Sequence, residues 1–194
     1  MRWLPEPRVA PLATLIEERV DQFAALIRAS NFAEFLDPLM KRMIVDCCRD
    51  AGAHEGVIWF LDAERTNLLC GWQVGPRSER LNRIRLPLDA TISGMVIAMQ
   101  QPFCENNLGQ NRAAASRLDE QLKAVVCSRV LVPFLIAGKL RGIVAAYQTK
   151  DTLEAAEPPG FDQYAVEEIS LLSRLLGRLM EHKLLCAATG VGED

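Results

Sequence analysis

Thiols and imidazoles are the first side chains to weigh in this 194-residue chain, because they carry nucleophilic, redox and metal chemistry. The cysteines are Cys47, Cys48, Cys70, Cys104, Cys127 and Cys186, and the only histidines are His54 and His182. None of the cysteines forms a C-x-x-C pair, so a local zinc site, which wants closely spaced Cys and His ligands, is not expected. Pro5, Pro7 and Pro11 interrupt the start of the chain, which shows no apolar segment of a secretory signal. A cytoplasmic protein is the expectation, with its thiols reduced and packed as small hydrophobes. A net charge of −3 argues against nucleic-acid binding, which needs a basic surface to neutralise phosphates. No apolar run approaches the roughly 18 residues that would span a bilayer, so no membrane partner is expected.

The elements that must position any site follow from periodicity. Residues 1–10 read as an irregular arm and residues 188–194 as a tail. From Pro11 onward, Leu12, Leu15, Ile16, Val20, Phe23, Leu26 and Ile27 recur at helical spacing, which predicts an amphipathic helix over 11–30. Asn31 and Glu34 resemble a capping pair for a second helix with the stripe Phe35, Leu39, Met43, Ile44, Cys47, Cys48, interrupted at Asp37-Pro38. After Gly52 the period shortens. Strands are predicted over 56–62, 67–74 and 83–88, and a short helix after Thr91 carries Ile92, Met95, Val96 and Met99 on one face. Residues 105–123 are polar, with a turn or two of helix near Arg117. Two nearly continuous apolar strands, 128–136 and 140–147, indicate a sheet covered on both faces, and a long helix runs over 161–185. Helices at both ends of a mainly antiparallel sheet describe an α+β sandwich.

Four stretches in this order resemble the GAF domain family, over about residues 31–187. They are Ala53–Asp62, similar to its first strand with a terminal Asp; Ile92–Phe103, similar to its short helix and the turn into a strand; Ser128-Arg-Val-Leu-Val-Pro-Phe134 with Gly138-Lys-Leu-Arg-Gly142, similar to its Ser-x-Leu-x-Val-Pro hairpin; and Phe161-Asp162 opening the last helix. The resemblance implies a GAF/PAS-like fold: a central antiparallel sheet with the N- and C-terminal helices packed on one face, and short helices and loops forming a ligand pocket on the other. It also implies a sensor or regulatory module without catalysis of its own, which binds a small molecule and signals through its terminal helices to an output protein or a domain absent from this chain.

Pocket candidates on that basis are Trp59 and Trp72, which could stack on a flat ligand, Gly94 and Met95 on the short helix, and the polar Asn106, Asn107, Ser128 and Arg129. Val57, Trp59 and Leu61 share one strand face and Ile58 and Phe60 the other, with the pocket side left open. The ligand itself is unknown. The constellation of cyclic-nucleotide-binding members is incomplete, since Asn111-Arg112 is followed by Ala-Ala-Ala-Ser. Cys127 has no neighbouring histidine, so a bilin is not expected. His54 and His182 lie away from the implied pocket, so neither haem nor another metal is expected. A rival reading is the thiol enzyme of the same family, free methionine sulfoxide reductase, with Cys104 and Cys127 meeting across the polar loop; Met95 stands where that enzyme has a cysteine. Another is a ligand-free dimerisation scaffold. In the last helix Ile169, Leu172, Leu176 and Leu179 form a heptad-like seam, with Leu171, Leu175 and Leu185 beside it, and a homodimer joined through the seam is the expectation.

Overall fold

Side chains that can cap and stop helices set the boundaries of the first half of the molecule. The structure is a computed structural model that describes residues 10–108 and 117–190; residues 1–9 of the arm expected over 1–10, the Asn111-Arg112 pair and the last four residues lie outside the described residues. Helix α1 (Ala10–Leu26) ends four residues before the expected boundary at Ser30. Asn31 is the cause. Its Nδ2 donates to Leu26 O at 3.0 Å and its Oδ1 accepts from Arg28 N at 2.8 Å, so it closes α1 and makes no side-chain cap for the next helix. That next helix, α2 (Phe32–Phe35), is a single turn. Asp37 then caps α3 (Pro38–Asp50) by accepting from Met40 N at 2.8 Å, with Pro38 at the first helical position where its missing N–H is not needed. Breaking the segment at Asp37-Pro38 rotates the stripe. Met40, Ile44 and Cys48 are buried, whereas Leu39, expected inside, is 76% exposed.

Strands β1 (Glu55–Leu61), β2 (Asn67–Val74), β3 (Arg85–Pro87), β4 (Phe103–Glu105), β5 (Val125–Ile136) and β6 (Lys139–Lys150) form one antiparallel sheet in the order β3-β2-β1-β6-β5-β4. A 3-10 turn over Ser78–Arg83, α4 (Ile92–Met99, capped by Thr91) and α5 (Arg117–Leu122) lie on one face. Helices α1, α2 and α3, with the 27-residue α6 (Gln163–Thr189), cover the other. Each face of the central strands therefore has its own core. Ile58, Phe60, Val130, Val132 and Val144 meet the long helices, while Val57, Trp59, Leu131, Ile143 and Ala145 meet the short ones. This two-sided burial explains why β5 and β6 read as continuous apolar runs.

Two local features fix α6 on the sheet. β4 pairs only with Arg129–Leu131, which leaves Val132–Ile136 as the outer edge of β5. There Ser173 Oγ donates to Pro133 O at 2.8 Å, and Gly177 lies so near that a Cβ built on it would meet Leu135 O at 2.4 Å. The helix thus covers the strand edge that β4 does not reach.

The expected dimer seam is corrected by this packing. Ile169, Leu172 and Leu176 are each 0% exposed, buried against the chain's own sheet and helices, so no partner subunit can reach them. A continuous sheet face needs the fully apolar stripe, and the outward stripe is Leu171, Leu175 and Leu179, at 39%, 41% and 37% exposure. Only Leu179 of the expected seam faces outward. Helix α1 docks in the same core through Val20, Ala24 and Ile27, and its Arg19 Nη1 donates to Ala188 O at 3.4 Å.

Candidate functional site

A cleft of about 360 Å³ opens on the short-helix face, between β5 and β6 on one side and the β3–α4 connection and α5 on the other. Leu86, Leu108, Leu118, Val126 and Leu131 give it apolar walls. Thr91, Ser93, Tyr147 and Arg129 supply its polar groups. Arg129 is held from outside the cleft by Glu105 across the β4–β5 pair, with Nε donating to Oε2 at 3.0 Å and Nη2 at 2.5 Å. Deeper, Trp59 Nε1 donates to the Tyr147 hydroxyl at 3.2 Å, both side chains being buried. Burial pushes the Tyr147 phenol up to about 12, so at neutral pH it keeps its proton and has a hydrogen-bond donor to offer. Neutral hydroxyls, one guanidinium and apolar walls suit binding of a small organic molecule. Among the described residues, the lining pairs no nucleophile with a base, as acyl transfer or hydrolysis would need.

The sequence-derived candidates divide between the two faces. Arg129 lines this cleft, whereas Trp59 is fully buried behind it and reaches it only through its hydrogen bond to Tyr147, so it offers no face for a ligand to stack on. Trp72 is not at the cleft: it packs against the long-helix core with Lys41 Nζ 5.2 Å from its ring centroid. Ser128 is buried and alternates with Arg129, which puts it on the long-helix side with Val130. Asn106 serves the backbone, accepting from Phe161 N and donating to Phe161 O, both at 2.9 Å, so it ties the end of β4 to the start of α6. Asn107 is exposed in a left-handed turn with φ 59°. Gly94 is a packing residue, since a Cβ there would meet Leu88 O at 2.0 Å, and Met95 is half-buried on α4 outside the cleft lining. The residues that sequence reasoning missed, Tyr147 and Leu131 above all, carry a usable signal: both fall on the same side of the sheet as Trp59.

Cys104 and Cys127 are not brought together. Cys104 is opposite Val130, and Cys127 is the extra residue in a bulge between Val126 and Ser128, three positions further along β5. At about 3.3 Å per residue this offset is roughly 10 Å, beyond the 4.4–6.8 Å between Cα atoms that a disulfide requires. Burial raises the Cys104 thiol, which disfavours the attacking thiolate. Among the described residues, no group of three His, Cys, Asp or Glu side chains is placed to hold a metal ion. None of the six cysteines forms a disulfide, and burial pushes Cys48 and Cys70 up to about 12. These thiols favour the folded state while protonated, so their contribution is complete at neutral pH and is lost as pH rises above about 8.5 toward their folded values. Urea midpoints should therefore be insensitive to dithiothreitol at pH 7 and fall between pH 9 and 11. A midpoint that drops on reduction at pH 7 would reveal a structural disulfide.

A family model for the GAF domain matches residues 33–181. The chain belongs to the GAF domain family. Solved structures repeat the architecture. A GAF domain/HD domain protein from Geobacter sulfurreducens superposes with a TM-score of 0.58 at 15% identity, over 82% of this chain and 99% of that one. The GAF domain of a phosphoenolpyruvate-protein phosphotransferase from Coxiella burnetii gives 0.58 at 17% identity, over 91% and 95%. A type II free methionine-R-sulfoxide reductase from Thermoplasma acidophilum gives 0.52 at 13% identity, over 80% and 96%. At these identities the likeness is one of fold. No curated protein sequence matches the chain. Among the described residues of this GAF domain, no helix is long and apolar enough to cross a membrane.

Proposed function

We propose that this GAF domain is a cytoplasmic sensor that holds a small organic molecule in the cleft beside Tyr147 and Arg129 and reports its presence through the packing of α1 and α6 in a homodimer. One observation carries the reading. Strand β5 lines the cleft with Arg129 and Leu131, buries Val130 and Val132 under the long helices, and two residues later bonds to α6 through Pro133 O and Ser173 Oγ. A displacement of β5 at the cleft is thereby also a displacement of its contact with α6. The dimer is supported by the outward leucines of α6 and by Leu12, Leu15 and Leu26 of α1, all at least one-third exposed. Six cysteines with no disulfide among them fit a reducing compartment. The output is a second protein or a domain outside this chain.

Native mass spectrometry of freshly purified protein tests the ligand. The expected spectrum shows a bound mass that denaturation releases. Leu86→Trp, which grows from a half-buried wall position into the cleft, should abolish that mass without unfolding the protein. Bare protein, with the same spectrum for the variant, supports the ligand-free dimerisation scaffold instead.

A further inference from the structure

A second cleft, of about 460 Å³, lies at the opposite face and end of the sheet, where the end of α1 meets the β1–β2 turn and the start of β6. Its walls carry Arg28, Arg65, Arg85 and Arg141 against two carboxylates, Asp62 and Glu64, in a chain whose net charge is −3. Asp62 attracts Arg85 but forms no ion pair with any of the four arginines. It is spent within its own turn, accepting from Thr66 N at 2.8 Å, Asn67 N at 3.0 Å and Asn67 Nδ2 at 2.7 Å. Among the described residues, none of the four arginines makes an ion pair or a side-chain hydrogen bond. Asp21, which attracts Arg141, is itself engaged by Lys139 Nζ at 2.7 Å.

Arg141 is aimed here by a bulge. The β5–β6 register passes from Leu135 opposite Leu140 to Phe134 opposite Gly142, so Arg141 is the residue without a partner. Bulges of this kind redirect a side chain. Its Nε is buried and has no hydrogen-bond partner, an arrangement that costs free energy unless something accepts from it. Burial and then the neighbouring Arg65 both hold the Arg141 guanidinium below its ordinary range. Between the arginines, Phe60, Leu69 and Leu140 supply an apolar floor.

We infer that this cleft binds a phosphoryl-bearing small molecule, its phosphate taken by the arginine forks and its organic part resting on Phe60 and Leu69. A phosphate dianion meets the excess of positive charge better than a single carboxylate, and its three terminal oxygens can accept from more than one guanidinium fork at once. The site is separate from the Tyr147 cleft and independent of whether that cleft is occupied.

Titration of the full chain at low salt with phenyl phosphate, inorganic phosphate and benzoate, followed by calorimetry and by amide resonances, tests it. Saturable phenyl phosphate binding is expected, with shifts at residues 62–65 and 140–142, weaker binding of inorganic phosphate and weaker still of benzoate. Equal affinity for the two phosphates would keep the phosphoryl site and remove the organic part. Arg85→Gln and Arg141→Gln should each weaken binding by about tenfold or more. Arg141→Gln should also leave the phosphate-free Tm unchanged or raised, since it removes an unpartnered buried charge; a merely structural arginine would give a lower Tm. No saturation by 10 mM phenyl phosphate, benzoate binding as tightly, or unaltered affinity in both variants overturns the assignment.

Discussion

We expect Leu176→Glu to unfold this protein, and Leu175→Glu, one position earlier, to leave it folded and split the proposed dimer. The two leucines are neighbours in sequence, but Leu176 is 0% exposed in the core beneath α6 and Leu175 is 41% exposed on the outer stripe. Removing a packed leucine costs about 2–5 kcal/mol, and an unpaired carboxylate in an apolar interior adds several more. Together these rival the whole stability of a domain, about 5–15 kcal/mol. On the outer stripe the carboxylate stays in water in the monomer and is buried only if a partner covers it. Circular dichroism should show Leu176→Glu without a cooperative transition. Light scattering should show Leu175→Glu as a folded monomer at micromolar concentration. A folded Leu176→Glu would refute the core placement, and a dimeric Leu175→Glu would remove the outer stripe from the interface.

Gly142→Ala should be nearly as damaging, although it adds a single methyl group. A Cβ at this position would meet Trp59 O at 1.8 Å and Phe60 Cα at 3.0 Å, atoms of the neighbouring strand's backbone with no rotamer by which to retreat. Gly142 directly follows the bulge at Arg141 and stands opposite Phe60 in one register and Phe134 in the other, so β1, β5 and β6 would all have to shift. The expected loss exceeds about 3 kcal/mol, as for strained overpacking of a core. For a chain of this size that is a Tm lower by roughly 6–12 °C by scanning calorimetry. Gly138→Asn is the control: its left-handed φ of +72° tolerates asparagine, and nothing lies within 4 Å of its Cβ position. A Tm for Gly142→Ala within a degree of the control would show that the strands are not so close.

Much of this architecture is legible in the residues. The central strands, the short helix after Thr91 and the last helix opening at Phe161-Asp162 all follow from local rules that the tertiary structure obeys. The candidate site is less legible because alternation fails at two bulges. Counting by twos from Leu68 puts Trp72 on the short-helix face, but the register shift beside Gly71 turns it to the other side. Counting from Val126 does the same for Ser128, and the extra residue Cys127 reverses it. Bulges leave almost no mark in a single sequence. The α6 seam fails for a different reason. Both leucine stripes have helical spacing, and only the sheet beneath decides which is covered.

The outer edge of β5 has a consequence for how the chain behaves when it is not fully folded. Val132-Pro-Phe-Leu-Ile136 is a short, uncharged, β-prone segment, the type that templates intermolecular strand pairing once its edge is free. In the folded chain α6 lies over it. Whenever that helix peels back, during synthesis or on heating, Pro133 offers an arriving strand a carbonyl but no N–H, which breaks the ladder near its start. Pro133 therefore acts as a gatekeeper against aggregation at the moment α6 is absent, a task distinct from any it performs in the native state.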